Sequence, residues 1–232
     1  MALRLVLIVT GASRGFGRAV CEVFFDAATQ GQEDDDAAAF SIVQCCLVAR
    51  SVQGLGETKA SLETKLKHSD KNNECQISTH AVDLGDLDTL DAKLEEILAT
   101  LTTTRSKFDK MILINNAGSI GEIGSLLLAT QSATLADWKQ TVDLNVTSMF
   151  WVTRRLGQWA QNTSVPAVLV NISSLVAIQP FPSMALYSAG KAVRTRVRVF
   201  VQQQETTTSH LVIALSSGPR HVLCLLGQRI GK

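Results

Sequence analysis

A single-domain α/β fold of the Rossmann type, with a doubly wound parallel sheet, is predicted by three observations. Short apolar runs rich in β-branched residues alternate with longer helical patterns along most of the chain. Several of these runs are apolar at consecutive positions, as strands covered by helices on both faces require. The first run leads straight into a glycine-rich turn and then a helical pattern, which brings a helix N-terminus to the edge of the sheet.

The elements follow in order. A strand is expected over 3–9 (LRLVLIV). Its basic start is minimal and glycines follow at once, so it reads as a buried strand rather than a secretory leader. A helix is expected over 15–29. The segment 31–39 (GQEDDDAAA) is read as a loop, either an acidic docking loop or a solvated insertion. A second strand over 41–49 (SIVQCCLVA) turns the adjacent Cys45 and Cys46 to opposite faces. The helix over 52–68 places Leu55, Leu62 and Leu66 on one stripe, with Glu and Lys elsewhere. Strands over 75–82, 110–115, 166–172 and 210–215 alternate with helices over 87–103, 134–162 and 185–204. Right-handed crossovers then wind the sheet in both directions. No internal repeat is present.

Composition excludes several classes. Of 232 residues, 46% are hydrophobic and 19% charged, and the net charge is +1, which is too apolar and too neutral for a disordered chain. That balance supplies no overall field for nucleic acid or an anionic membrane. No stretch reaches the ~18 apolar residues of a membrane span. Five cysteines form no C-x-x-C pair and read as reduced thiols, which places the protein in the cytoplasm. The four histidines are scattered, and no metal site is expected. Charge is uneven: seven of the 22 basic residues but one of the 21 acids lie from Lys191 onward.

The turn reads Thr10-Gly11-Ala12-Ser13-Arg14-Gly15-Phe16-Gly17. Gly11 permits the tight turn, Gly15 lets main chain approach a pyrophosphate, and Gly17 lets helix pack on strand. With Ser13, Arg14 and Phe16 these form the candidate phosphate loop of a dinucleotide site. The second strand ends at Ala49-Arg50-Ser51, without the acid that an NAD site places on the ribose 2′-OH. Arg14 and Arg50 suit a 2′-phosphate, so NADP(H) is expected over NAD(H); the bland reading is two surface arginines. Asp83-Leu84 ends the third strand, where Asp83 either contacts the adenine or caps the next helix.

Asn115-Asn116-Ala117-Gly118 closes the fourth strand and Asn171-Ile172-Ser173-Ser174 the fifth, both at the edge where ligands bind such sheets. Tyr187-Ser188-Ala189-Gly190-Lys191 then opens a helix, and i, i+4 spacing puts Tyr187 and Lys191 on one face. Hydride reduction of a carbonyl leaves an alkoxide that needs a proton. A phenol with a cation beside it supplies one near neutral pH. Lys191 is suited to be that cation and to hold the nicotinamide ribose. Ser174 suits the carbonyl oxygen. Asn145 is read as holding a water that relays protons to Lys191. Tyr187 is the only tyrosine in the chain. The bland reading of Tyr187 and Lys191 is a half-buried ring beside a surface lysine.

TGASRGFG, NNAG, Asn145, Ser174 and YxxxK in this order resemble the short-chain dehydrogenase/reductase family over residues 3–215. The family spacing, thirteen residues before the tyrosine, selects Ser174 over Ser173. Asn116, Ala117 and Gly118 are assigned to the cofactor by the same resemblance. The segment VNISSLVAIQPFPSMALYSAGKAVR carries a further likeness to the pterin-reducing members. It implies NADPH-dependent reduction of a pterin side-chain carbonyl, in tetrahydrobiopterin biosynthesis, by a homodimer built on the two long helices. The other readings are a reductase of a different small carbonyl substrate and a catalytically silent NADP-binding form. Residues 1–215 form the expected reductase domain. Residues 216–232 form a divergent tail that replaces the family's Pro-Gly turn, lid and last strand. Lower stability and weaker substrate binding than in a relative with those parts are expected from that tail.

Overall fold

The computed structural model describes residues 2–30, 40–68, 75–105, 108–125, 133–179, 181–202 and 208–214, with main chain only from 198 onward. The loop 31–39 and the tail 216–232 lie outside these residues, as do the readings made of them.

Six strands form one parallel sheet: β1 (Leu3–Thr10), β2 (Phe40–Ala49), β3 (Gln76–Ala81), β4 (Lys110–Asn115), β5 (Ala167–Ser173) and β6 (Thr208–Ala214). Their order is β3-β2-β1-β4-β5-β6, the doubly wound arrangement expected from the alternating pattern. Six α-helices connect them: α1 (Gly15–Gln30), α2 (Val52–Lys67), α3 (Leu87–Thr104), α4 (Leu135–Val142), α5 (Ser148–Asn162) and α6 (Ala185–Gln202). The helix expected over 134–162 is thus divided. A π-helical turn, Asp143–Thr147, separates α4 from α5 and carries Asn145.

Strand alternation sorts the core into two layers. Leu5, Leu7 and Val9 of β1 join Phe24, Phe25, Leu55 and Leu62 under α1 and α2. Val6 and Ile8 join Leu90, Leu94, Val152 and Leu156 under α3 and α5. Cys45 and Cys46 fall in opposite layers, as their adjacency in a strand dictates. Helix entries are fixed by side chains. Ser51 accepts from the Gly54 amide at the start of α2, and Thr134 forms a reciprocal capping box with Asp137 at the start of α4. Among the described residues no helix is long and apolar enough to cross a membrane.

Candidate active site

The site lies at the carboxyl edge between β1 and β4, where the strand order reverses. Gly11 has φ +68° and Gly15 φ +56°, the left-handed region that glycine adopts without strain. A Cβ on Gly17 would stand 2.2 Å from the Gly11 carbonyl oxygen, so α1 sits directly against the turn. A Cβ on Gly15 would meet nothing within 4 Å, so the loop faces open space there. Phe16 packs on the first core layer, leaving only its main chain for the loop.

The loop is held from below by residues of β1 and β4. Thr10 Oγ1 accepts from the amides of Asn116 (3.0 Å) and Ala117 (3.1 Å). Asn116 Nδ2 donates to the carbonyls of Thr10 (3.0 Å) and Gly11 (3.3 Å). Asn116 therefore acts on the phosphate loop rather than facing a ligand with its side chain. Thr10 was not singled out by motif reading; its place as the residue before the first glycine is the signal.

Beside the loop a cleft of about 660 Å³ is lined by Gly11, Ser13, Arg14, Arg50, Leu84 and Ala117, and reaches Gly118. Arg14 and Arg50 are exposed on its wall. Arg50 approaches Asp83 at 3.9 Å, with both side chains well solvated. Asp83 also accepts from the Gly85 amide at 2.9 Å. The helix-cap reading of Asp83 is overturned: Asp86 caps α3, accepting from the Asp88 amide and the Thr89 hydroxyl. Arg18, not flagged in the sequence, also borders the cleft. Its guanidinium is occupied by Ser13 O, Gly54 O, Thr58 and Glu57, which tie α1 to α2.

Ser174 leaves β5 in an extended conformation, and its hydroxyl favours ionisation of the Tyr187 phenol. Ser173 faces the other way: its buried hydroxyl donates to the Lys191 carbonyl at 3.0 Å and meets the Thr195 hydroxyl at 3.0 Å. One step along a strand separates the reactive serine from the structural one. Lys191 Nζ donates to the Ile172 carbonyl at 2.9 Å and lies 5.5 Å from the Tyr187 ring centroid. Burial, reinforced by Arg194, pushes the Lys191 ammonium down to about 7. Burial pushes the Tyr187 phenol up, opposed by the Arg194 charge and the Ser174 hydroxyl. Lys191 Nζ is the cation nearest the ring by geometry, and the Arg194 charge also favours the phenolate.

Asn145 is 1% exposed. Its side chain exchanges hydrogen bonds with the Ser119 main chain, accepting at 3.0 Å and donating at 2.7 Å. Its carbonyl oxygen accepts from Arg194 Nε at 3.3 Å. The loop after β4 joins the segment before α6 through Gly124 N to Ser183 O (3.0 Å). Ile120 and Ile123 on one segment, and Ile178 and Phe181 on the other, are exposed apolar side chains around this junction. The residues fit a phosphorylated dinucleotide: positive-φ glycines, an open approach at Gly15 and two exposed guanidiniums suit it.

Residues 45–213 match the family model described as short chain dehydrogenase. Sepiapterin reductase of Rattus norvegicus is 30% identical over 217 residues, covering 92% of this chain and 73% of the relative. Sulfoacetaldehyde reductase of Chromohalobacter salexigens is 30% identical, over 80% of this chain and 60% of the relative. A metagenomic short-chain oxidoreductase solved in complex with NADP superposes with TM-score 0.70 at 21% identity, over 98% of this chain and 92% of that one.

Proposed function

The chain belongs to the short-chain dehydrogenase family, and on that premise we propose that it is an NADPH-dependent carbonyl reductase of the sepiapterin reductase type. Its substrate on this reading carries a pterin side-chain carbonyl, on the route to tetrahydrobiopterin. The observation that carries the proposal is the grouping of Ser174, at the exit of β5, with Tyr187 and Lys191 one turn apart on α6, Lys191 Nζ lying 5.5 Å from the Tyr187 ring centroid. Gly11, Ser13, Gly15 and the first amides of α1 would cradle the pyrophosphate. Arg14 and Arg50 would hold the 2′-phosphate, and Asp83 and Leu84 the adenine. Bound NADPH supplies the hydride.

The chain's own residues do the rest. Ser174 donates a hydrogen bond to the substrate carbonyl oxygen and stabilises the charge that develops on it. Tyr187 passes its phenolic proton to that oxygen. Lys191 would turn from the Ile172 carbonyl to hold the nicotinamide ribose. The exposed Ile120, Ile123, Ile178 and Phe181 favour a flat, uncharged substrate. The described residues of those two segments include no Lys or Arg, which disfavours a sulfonate such as that named for the bacterial relative. We further propose a cytoplasmic setting, supported by the free buried thiols of Cys21, Cys45 and Cys46. A homodimer is proposed through α5 and α6, supported by the exposed Phe150.

The test is NADPH consumption with sepiapterin by the purified protein, with Tyr187→Phe as control. Turnover is expected in the parent and a loss of about 10²-fold or more in the variant. A parent that binds NADPH but turns over no carbonyl compound would sink the reductase reading.

A further inference from the structure

Strand β2 ends without an acid, yet the fold returns one to the cofactor cleft. Glu57, in the second turn of α2, lines the same cleft as Arg14 and Arg50. A carboxylate on such a wall holds the ribose 2′-OH in an NAD site, and it repels a 2′-phosphate. Left to itself, Glu57 would therefore work against the two arginines that suit NADP(H).

Both of its oxygens are taken. Oε2 accepts from Arg18 Nη2 at 2.9 Å, and Oε1 accepts from Gln53 Nε2 at 3.1 Å, one helical turn back. These bonds hold the Glu57 carboxyl below its ordinary range, so it carries its charge at neutral pH. Arg18 is itself fixed. Nη2 also donates to the carbonyls of Ser13 (2.7 Å) and Gly54 (3.3 Å), and Nε donates to the Thr58 hydroxyl (2.9 Å). Buried Thr58 donates in turn to the Ala12 carbonyl at 2.9 Å. The guanidinium thus rests on the glycine loop and on the first turns of α2 at once. Gly54 lets the two meet: a Cβ there would stand 2.9 Å from the Ser13 carbonyl oxygen.

We infer that Arg18 is a positioning residue that sets the preference for NADP(H): it keeps the Glu57 carboxylate occupied, so that Arg14 and Arg50 are the charges a 2′-phosphate meets. A clasp between loop and helix would by itself serve either dinucleotide equally. A carboxylate released from that clasp would not, because it opposes the 2′-phosphate and accepts from the 2′-OH. The inference rests on the cleft holding NADP(H) and is independent of the carbonyl substrate.

The test is binding of NADPH and of NADH, each followed by its own fluorescence, to the parent, Arg18→Met, Glu57→Gln and the double variant. Arg18→Met should bind NADPH about tenfold or more weakly, while NADH binding holds or tightens. Adding Glu57→Gln to that variant should return the ratio of the two affinities to within about threefold of the parent. Glu57→Gln alone should move the ratio by less than about threefold, since its carboxylate is already paired and half-exposed. Equal losses for both dinucleotides in Arg18→Met would leave a structural clasp only and overturn the inference. So would a lowered ratio that Glu57→Gln does not restore, which would put Arg18 on the phosphate itself. If Arg18→Met does not fold, Glu57→Gln decides: a ratio within about threefold of the parent supports the inference, and a larger change overturns it. A parent that binds neither dinucleotide, or both alike, overturns the NADP(H) reading and this inference with it. A parent that prefers NADPH, with the same ratio in Arg18→Met, overturns this inference alone.

Discussion

Ser173 and Ser174 differ by one position and carry opposite duties. Ser174 favours ionisation of the phenol, whereas Ser173 is buried and bonded to the main chain of α6. Ser174→Ala should therefore cut kcat by about 10²-fold or more with the melting temperature nearly unchanged. Ser173→Ala should leave kcat within about twofold and cost about 1–2 kcal/mol, because the Lys191 carbonyl loses a buried donor. Parallel melting curves and steady-state rates check the pair; the reverse pattern would mean that Ser173 faces the substrate. This distinction was legible beforehand only through family spacing, since two adjacent hydroxyls carry no signal of which way a strand faces. Arg194 was less legible still. Arginine is usually a surface residue, and the run Arg194, Arg196, Arg198, on a helix expected at a dimer interface, reads as charge in need of partners or water. Its i+7 relation to Tyr187 was the one available sign. Only the structure supplies the four main-chain carbonyls, of Asn115, Ala117, Asn145 and Ile172, that make its burial tolerable.

At the scale of elements, the strand-turn-helix from β1 to α1 shows how local sequence and long-range support combine. Three glycines announce the turn, but they do different work. At Gly17, an added methyl meets main chain at 2.2 Å, which no side-chain movement relieves. At Gly15, space is open and only the positive φ opposes a side chain, at about 1–2 kcal/mol. Gly17→Ala should thus lower both stability and NADPH affinity sharply. Gly15→Ala should lower stability by only about 1–2 kcal/mol while weakening NADPH binding, since its methyl points where phosphate would approach. Thermal melts with cofactor titration separate these cases; equal stability losses in both would contradict the packing. The strands fell within a residue or two of their sequence-derived limits because their apolar runs give way to polar or glycine residues, as at Gly11, Arg50, Asp83 and Ser174. The π-helical turn at Asp143–Thr147 was not legible, since one extra residue in a helical turn leaves the polar-apolar pattern almost unchanged. Its consequence is functional: it carries the Asn145 side chain onto Ser119 and the Asn145 carbonyl onto Arg194.

For the whole molecule, the cofactor cleft sits at the seam of the sheet. Its walls come from the loop after β1, the ends of β2 and β3 and the turn after β4. A ligand there contacts both halves of the doubly wound fold, so binding and global stability are linked. At a cofactor concentration about 100 times Kd, linkage adds about 2.7 kcal/mol, which for a domain of this size raises Tm by about 5–10 °C. With Arg14 and Arg50 exposed on the wall, the increment should be larger for NADPH than for NADH at equal concentration. Replacing both arginines by alanine should erase that difference and leave the unliganded Tm within about 1–2 °C, because neither side chain is buried and the Arg50–Asp83 approach is a solvated pair. Thermal shifts for the four combinations of protein and cofactor test this directly. Equal shifts with both cofactors in the parent would refute the assignment of Arg14 and Arg50 to the 2′-phosphate. The phosphate loop would then be a general dinucleotide cradle, with the choice of cofactor made elsewhere on the cleft wall.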